Sequence, residues 1–169
     1  MTNISSYSSR VLQHFRYPHN YGRLKNPSGH GEVGNVVCGD VMHLYLKITK
    51  NRKKEEVIRD IKFETYGCAA AIATSSVITD LVKGKPISFA LKITKDDIVK
   101  SLNGLPPIKI HCSLLAVDAL KEALFDFYVK KGLPIPKDLQ QAHDKNQKER
   151  EFVEKKYYPW VKAERKLAH

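Results

Sequence analysis

The 169-residue chain carries 29 Lys+Arg against 18 Asp+Glu, a formal net charge of +11, with 42% hydrophobic residues, three cysteines and seven histidines. Its length and apolar fraction suit one domain with a buried core, exclude a disordered chain, and contain no apolar run near the roughly 20 residues that span a bilayer. The odd cysteine number and the absence of an apolar signal segment in residues 1–10 argue against a disulfide framework and for a reducing, cytoplasmic setting.

Tyr7, Val11 and Phe15 fall at i, i+4 and i+8, which predicts a short amphipathic helix over 7–15 with Ser5 or Ser6 as its N-cap. Residues 17–31 hold two prolines and three glycines and predict an irregular, packed loop. Alternation then begins. Met42, Leu44, Leu46 and Ile48 share one side, with Val41, His43, Tyr45 and Lys47 on the other. A second run sets Val57, Ile61 and Phe63 against Asp60, Lys62 and Glu64. The polar stretch 50–56 between them is of hairpin type, so two antiparallel strands follow, and residues 32–37 supply a third.

After Phe63 the period becomes helical. Residues 70–82 form an Ala-rich helix stopped at Lys83-Gly84. Thr94 and Asp97 resemble a capping box ahead of Ile98, Val99 and Leu102, with Gly104 closing a short helix. Pro106-Pro107 breaks the chain, and residues 113–131 form a third helix ending at Gly132, with Leu114, Val117, Leu120, Leu124 and Phe127 or Tyr128 facing inward. Strands first and helices afterwards predict an α+β fold, a small three-stranded antiparallel sheet with helices packed on one face. Pro134 and Pro136 mark a linker. Residues 137–156 read as a solvated helix ending before Pro159, so the expected division is a domain over 1–132 and a basic, mostly helical C-terminal extension over 133–169.

Cys38, Cys68 and Cys112 stand 30 and 44 residues apart, without a CxxC pair. Each falls at an element boundary among Gly, Asp or His, where an ordinary buried core cysteine is less expected. Cys68 sits at a strand-to-helix junction and Cys112 directly before a helix, where the dipole and free N–H groups favour thiolate, and Lys109 adds positive charge beside Cys112. Three converging thiolates with Asp40 or His111 would make four ligands, suited to tetrahedral Zn²⁺ or to a [2Fe–2S] cluster. A carboxylate is harder and binds an iron–sulfur centre more weakly than a thiolate, so such a cluster is easier to release, which suits a carrier.

The runs Gly34-Asn35-Val36-Val37-Cys38-Gly39-Asp40-Val41-Met42, Phe63-Glu64-Thr65-Tyr66-Gly67-Cys68-Ala69-Ala70 and Leu105-Pro106-Pro107-Ile108-Lys109-Ile110-His111-Cys112-Ser113, with residues 7–24, resemble the iron–sulfur cluster assembly scaffolds of the IscU/NifU N-terminal family over roughly 5–131. The resemblance implies that Cys38, Cys68 and Cys112 bind the nascent cluster, with Asp40 favoured as labile fourth ligand and His111 as the alternate. It implies that Cys112 accepts sulfur from a cysteine desulfurase, with Lys109 assisting. It also implies that Leu105, Pro106, Pro107, Ile108 and Lys109 are gripped by a DnaK-type chaperone. Fe²⁺ and a [2Fe–2S] or [4Fe–4S] cluster are the implied cargo, with Zn²⁺ in the isolated protein. A ferredoxin, a frataxin-like protein and a second copy of the cluster-bound chain are further partners. The sequence departs from the family pattern at Val36-Val37, where a proline is usual, and at Ala69-Ala70, where Gly-Ser is usual. The short spacing between Cys68 and Cys112, together with His111, favours the IscU-like branch over a zinc-dependent SufU-like sulfur relay, which stands as the alternative function.

Other readings of the residues are weaker. The densest basic patch, Lys50, Arg52, Lys53 and Lys54, is followed at once by Glu55 and Glu56, and no recognition helix or stacking platform accompanies it, so nucleic-acid binding is not expected. The charge better suits steering toward acidic protein partners. His111 next to Cys112 does not make a hydrolase, because sequence neighbours rarely orient as nucleophile and base. His14, His19, His30, His43, His143 and His169 show no ligand spacing and read as surface or structural. The expected role is a cluster scaffold rather than an enzyme.

Overall fold

The computed structural model describes residues 6–35 and 39–167, with the side chains of residues 35, 153–154 and 157–167 left undescribed. Three strands, β1 (Gly29–Asn35), β2 (Asp40–Lys50) and β3 (Glu56–Tyr66), form one antiparallel sheet in the order β1-β2-β3. The irregular loop therefore ends earlier than its glycines suggested, because Gly29 and Gly31 are strand residues. Met42, Leu44 and Leu46 on β2 and Ile58, Ile61 and Phe63 on β3 are fully buried. Val57, expected to share the inner face with Ile61 and Phe63, does not. Lys47 pairs with Asp60 but Ile48 with Ile58, so Arg59 is an extra residue, and this bulge turns Ile58 inward in place of Val57.

Helices cover the inner face. The long α5 (Ile110–Lys131) lies across β1 and β2, and α2 (Ala69–Val82) packs against β3 and α5. Two glycines of β1 permit the first contact: a Cβ at Gly31 would overlap the carbonyl oxygen of Ala119, and one at Gly29 that of Ala123. Helix α2 is buried over ten of its fourteen residues, and Thr74 and Ser75 both donate hydrogen bonds to the Ala71 carbonyl at 3.1 and 2.7 Å.

Helix α1 (Ser9–Arg16) packs against α2. Its N-cap is Ser8, not Ser5 or Ser6, because the Ser8 oxygen accepts from the Val11 N–H at 3.1 Å while its hydroxyl donates to the Leu102 carbonyl at 2.5 Å. Val11 and His14 form its buried face and Tyr7 packs against the core, but Phe15 is exposed, so His14 takes the place expected for Phe15 in the Tyr7–Val11–Phe15 stripe.

The one-turn α3 (Ile87–Ala90) had no sequence signal. Helix α4 (Lys95–Ser101) carries the expected capping box: the Asp97 carboxylate accepts from the Thr94 N–H at 2.8 Å. Helix α5 begins three residues before the expected start, through a 3₁₀ turn at Pro107–Lys109, and Leu115 replaces Leu114 on the inner face, leaving Leu114 exposed. The last helix, α6 (Lys137–Leu167), continues through Pro159, where it was expected to stop. A proline there has no N–H for the carbonyl four residues back, and nothing in the described residues explains its tolerance. Its first turns are anchored on α5: Leu139 is buried, the Glu122 carboxylate accepts from Asn146 Nδ2 at 3.0 Å and pairs with His143 Nδ1 at 2.9 Å, and the Phe125 ring stacks on His143 at 3.8 Å. Among the described residues, no helix is long and apolar enough to cross a membrane.

Candidate metal centre

The chemistry-bearing residues meet at one end of the sheet. Asp40 is the first residue of β2, Tyr66 the last of β3, and Cys68 the N-cap of α2. Cys112 lies in the first turn of α5, so one strand and two helix N-termini converge there. The Cys68 and Cys112 sulfurs are 3.8 Å apart. Asp40 Oδ2 is 4.0 Å and His111 Nε2 3.6 Å from the Cys112 sulfur. Ligand atoms of Asp40, His111 and Cys112 all lie within 4.8 Å of one another. Two thiolates on one tetrahedral ion, each at about 2.3 Å, are separated by about 3.8 Å. The cysteine pair therefore already has the spacing of two ligands to a single metal. Cys38, the third expected thiolate, lies outside the described residues.

Asp40 is held in a tight socket. A Cβ on Gly67 would come within 2.9 Å of the Asp40 carboxyl and 2.8 Å of the Ala71 Cβ, so only glycine lets the carboxylate lie against the strand-to-helix turn. Thr74 Oγ1 shares its one proton between the Ala71 carbonyl at 3.1 Å and the Cys112 carbonyl at 3.2 Å, and so ties α5 to α2 behind the sulfurs.

The electrostatics divide the two cysteines. A hydrogen bond from Cys112 pulls the Cys68 thiol down to about 5, helped by the Ala71 and Ala70 amides at the start of α2 and by the Lys109 ammonium. The bond to Cys68, burial, and the charges of Cys68 and Asp40 push Cys112 well above an ordinary thiol. The two sulfurs share a proton as a coupled pair, with Cys68 pushed toward thiolate and Cys112 toward thiol. Both sulfurs sit at helix starts, which favours thiolate, but Cys112 is 1% exposed beside a carboxylate and is pushed the other way. Burial, then the Cys68 charge, raises Asp40, opposed by His111 and Lys109 and by the Cys68 amide donating to the carboxylate. Lys109 in turn is raised, chiefly by Cys68.

Asp40, Cys68, His111, Cys112 and Lys109 are therefore brought together as expected. Leu105 to Lys109 form the loop and 3₁₀ turn that deliver α5 to the centre, with Ile108 76% exposed. Two further residues had been assigned no role there. Tyr7 packs against Ala70, Ala71 and Cys112, and burial followed by the Cys68 charge raises its hydroxyl. Gly67 was visible only as a motif letter, although a glycine beside a cysteine at a strand end is a signal of close approach. Beside His111, a groove of about 450 Å³ lies between β1, α5 and α6, lined by Val33, Leu114, Asp118, Lys145 and Phe152 among others.

Residues 6–133 match the family described as NifU-like N terminal domain. The chain is 52% identical over 126 residues to a protein of Archaeoglobus fulgidus named iron-sulfur cluster assembly scaffold protein IscU 1, covering 75% of this chain and 79% of that one. It is 45% identical over 130 residues to the iron-sulfur cluster assembly scaffold protein IscU of Haemophilus influenzae, covering 75% and 99%. In three dimensions it resembles the N-terminal part of a nitrogen-fixing NifU-like protein from Brucella abortus, with a TM-score of 0.56 at 23% identity over 74% of this chain and 96% of that one, a likeness of fold. The three-stranded sheet, the helices on its inner face and the cysteine–aspartate pocket at its end sit within the matched span, and the chain belongs to the NifU-like N-terminal domain family.

Proposed function

We propose that this protein is a scaffold on which an iron–sulfur cluster is assembled and from which it is passed on, rather than a turnover enzyme. The observation that carries the reading is the Cys68–Cys112 sulfur pair at metal-ligand spacing, with the Asp40 carboxylate 4.0 Å from the Cys112 sulfur. Relatives named as cluster assembly scaffolds support it. Cys38, Cys68 and Cys112 supply thiolates to a [2Fe–2S] cluster, and Asp40 supplies a harder oxygen donor that lets go first. His111 is the alternate ligand. The unit that does this is 1–132, with 133–169 as an extension, working in the cytoplasm.

The shared proton orders the steps. Fe²⁺ is drawn first to the Cys68 thiolate and Asp40. Its charge cancels the field that keeps Cys112 protonated, and the Cys112 thiolate is released. That thiolate attacks the outer sulfur of a persulfide on a cysteine desulfurase; the S–S bond breaks with its electron pair on the desulfurase cysteine, which takes up a proton. The sulfane sulfur needs two electrons to become sulfide, and reduced ferredoxin supplies them and is oxidised, leaving the Cys112 thiolate free again. Lys109 shields the growing negative charge. A DnaK-type chaperone gripping Leu105 to Lys109 would pull on the turn that positions Cys112 and loosen the site for release; Ile108, being exposed, is its handle.

The test is sulfur and cluster transfer. Incubation with a desulfurase, cysteine and Fe²⁺ should add the mass of one sulfur to Cys112, and addition of reduced ferredoxin and apo-acceptor should move iron and sulfide together. Retention of all metal as zinc, with no sulfur on any cysteine, would contradict the scaffold reading.

A further inference from the structure

A second group of metal-ligating side chains lies on the seam between α1 and α2, away from the cysteines. One ligand atom each of His14, His19 and Asp80 lies within 4.8 Å of the others, and the two imidazoles are 4.9 Å apart between centroids. Sequence spacing hides this group, since Asp80 is 61 residues beyond His19 and reaches it only because α1 and the loop after it pack on α2.

The surroundings favour a ligand role for the histidines. His14 is 5% exposed, and its Nδ1 is 2.8 Å from Ser76 Oγ, which also accepts from the His19 backbone N–H at 2.8 Å. That bond leaves Nε2 as the second nitrogen of a ring whose orientation is locked, the arrangement by which an outer hydrogen bond aims a metal-binding histidine. Burial, then the His19 charge, lowers His14 against the opposing pull of Asp80, so the ring favours its neutral form, which has a lone pair to give. His19 and Asp80 are half-exposed and already paired at 2.7 Å, and Asn20 Nδ2 lies 3.4 Å from the other Asp80 oxygen. Ligands of one tetrahedral ion stand about 3.4 Å apart, so atoms already within 4.8 Å of one another need only a small closure, which the half-exposed His19 and Asp80 have room to make. Arg10 is the nearby positive charge that opposes a cation, and its guanidinium is committed to the Ser101 carbonyl at 3.1 Å.

We propose that His14, His19 and Asp80 form a second metal site that takes a first-row divalent cation such as Zn²⁺ through two imidazoles and one carboxylate, with solvent completing the shell. Such an ion staples α1 and the following loop to α2, the helix whose other end carries Cys68. It contains no sulfur ligand, and so is distinguishable from the cluster pocket by spectroscopy and by which mutations remove it.

The experiment titrates Co²⁺, as a probe for Zn²⁺, into the full chain carrying Cys38→Ser, Cys68→Ser and Cys112→Ser. The proposal expects one equivalent bound, with visible d–d absorption and no thiolate charge-transfer band. His19→Ala or Asp80→Asn, both at half-exposed positions, should weaken that binding at least about tenfold and remove the rise in Tm that the ion gives. Binding by the triple variant that is unchanged in both, or no binding at all by a folded triple variant, would overturn the proposal. If the triple variant does not fold, the wild-type chain serves: Asp80→Asn should lower its zinc content by one equivalent, and an unchanged zinc content would overturn the proposal equally. Failure of this site leaves cluster assembly on the cysteines untouched.

Discussion

The sulfur of Cys68 lies 3.8 Å from that of Cys112, and the contact pushes the acidities of the two thiols apart, Cys68 toward thiolate and Cys112 toward thiol. Cys68 is half-buried at the start of α2, where amides and Lys109 hold its thiol down to about 5, whereas Cys112 is buried beside Asp40. At neutral pH the free chain therefore presents one nucleophile of the two. Iodoacetamide at pH 7 should modify Cys68 at least about tenfold faster than Cys112, read by peptide mass spectrometry. In Cys68→Ser the charge that raises Cys112 is gone, and Cys112 should be labelled faster than it is in the wild-type chain. Equal rates in the wild-type chain would refute the division of charge.

Gly67 and Asp40 test the carboxylate's role from two directions. Asp40→Ala removes the oxygen ligand and should leave a cluster that persists longer or changes type, followed by its visible spectrum and by transfer to an apo-ferredoxin. Gly67→Ala keeps the carboxylate but pushes a methyl group to within 2.9 Å of it, so the side chain must move. It should reproduce part of the Asp40→Ala effect and cost about 1–3 kcal/mol of stability. Unchanged cluster lifetime in both variants would remove Asp40 from the release step.

The contact between β1 and α5 depends on absent side chains. Gly31→Ala places a Cβ on the Ala119 carbonyl oxygen and should destabilise the fold by about 1–3 kcal/mol or more, measured by urea unfolding. Gly34→Ala is the control, since its Cβ would meet nothing closer than 3.8 Å, and its midpoint should stay close to wild type.

Helix α4 offers a pH test away from the metal centre. Hydrogen bonds from the Thr94 amide and hydroxyl, both 2.8 Å, hold the Asp97 carboxyl below the usual carboxylate range. A depressed folded pKa contributes stability above the unfolded value of about 3.9, and the contribution is lost as pH falls through the folded value. Thr94→Ala should cost about 1 kcal/mol at pH 7. Asp97→Asn should cost less, because the pair is largely exposed, and the gap between it and wild type should close on acidification. A gap that is constant between pH 7 and pH 3 would show that the charge contributes nothing.

What was legible in the sequence follows the reach of each physical signal. Alternation at Met42, Leu44 and Leu46 and the cap at Thr94 are local patterns, and both appear where the sequence placed them. The bulge at Arg59 was not legible, because it is a property of the pairing between Lys47 and Ile48 on one strand and Ile58 and Asp60 on the other. The early start of α5 was hidden by Pro106-Pro107, which reads as a break although its second proline opens a 3₁₀ turn into the helix. At the candidate site, the motif letters named Asp40, Cys68, His111 and Cys112. They could not say which sulfur holds the proton, since that depends on burial and on a contact between residues 44 positions apart. The approach of His19 to Asp80 likewise exists only in the packed structure.

The most direct test of the central claim is anaerobic reconstitution of the full chain with Fe²⁺, cysteine, a cysteine desulfurase and reduced ferredoxin, followed by visible absorption and metal and sulfide analysis. The account predicts sulfide-to-iron charge-transfer bands with iron and sulfide bound in equal amounts, and their loss in Cys68→Ser and Cys112→Ser. Non-exchanging zinc held by the cysteines, with no charge-transfer bands and no sulfide, would contradict it.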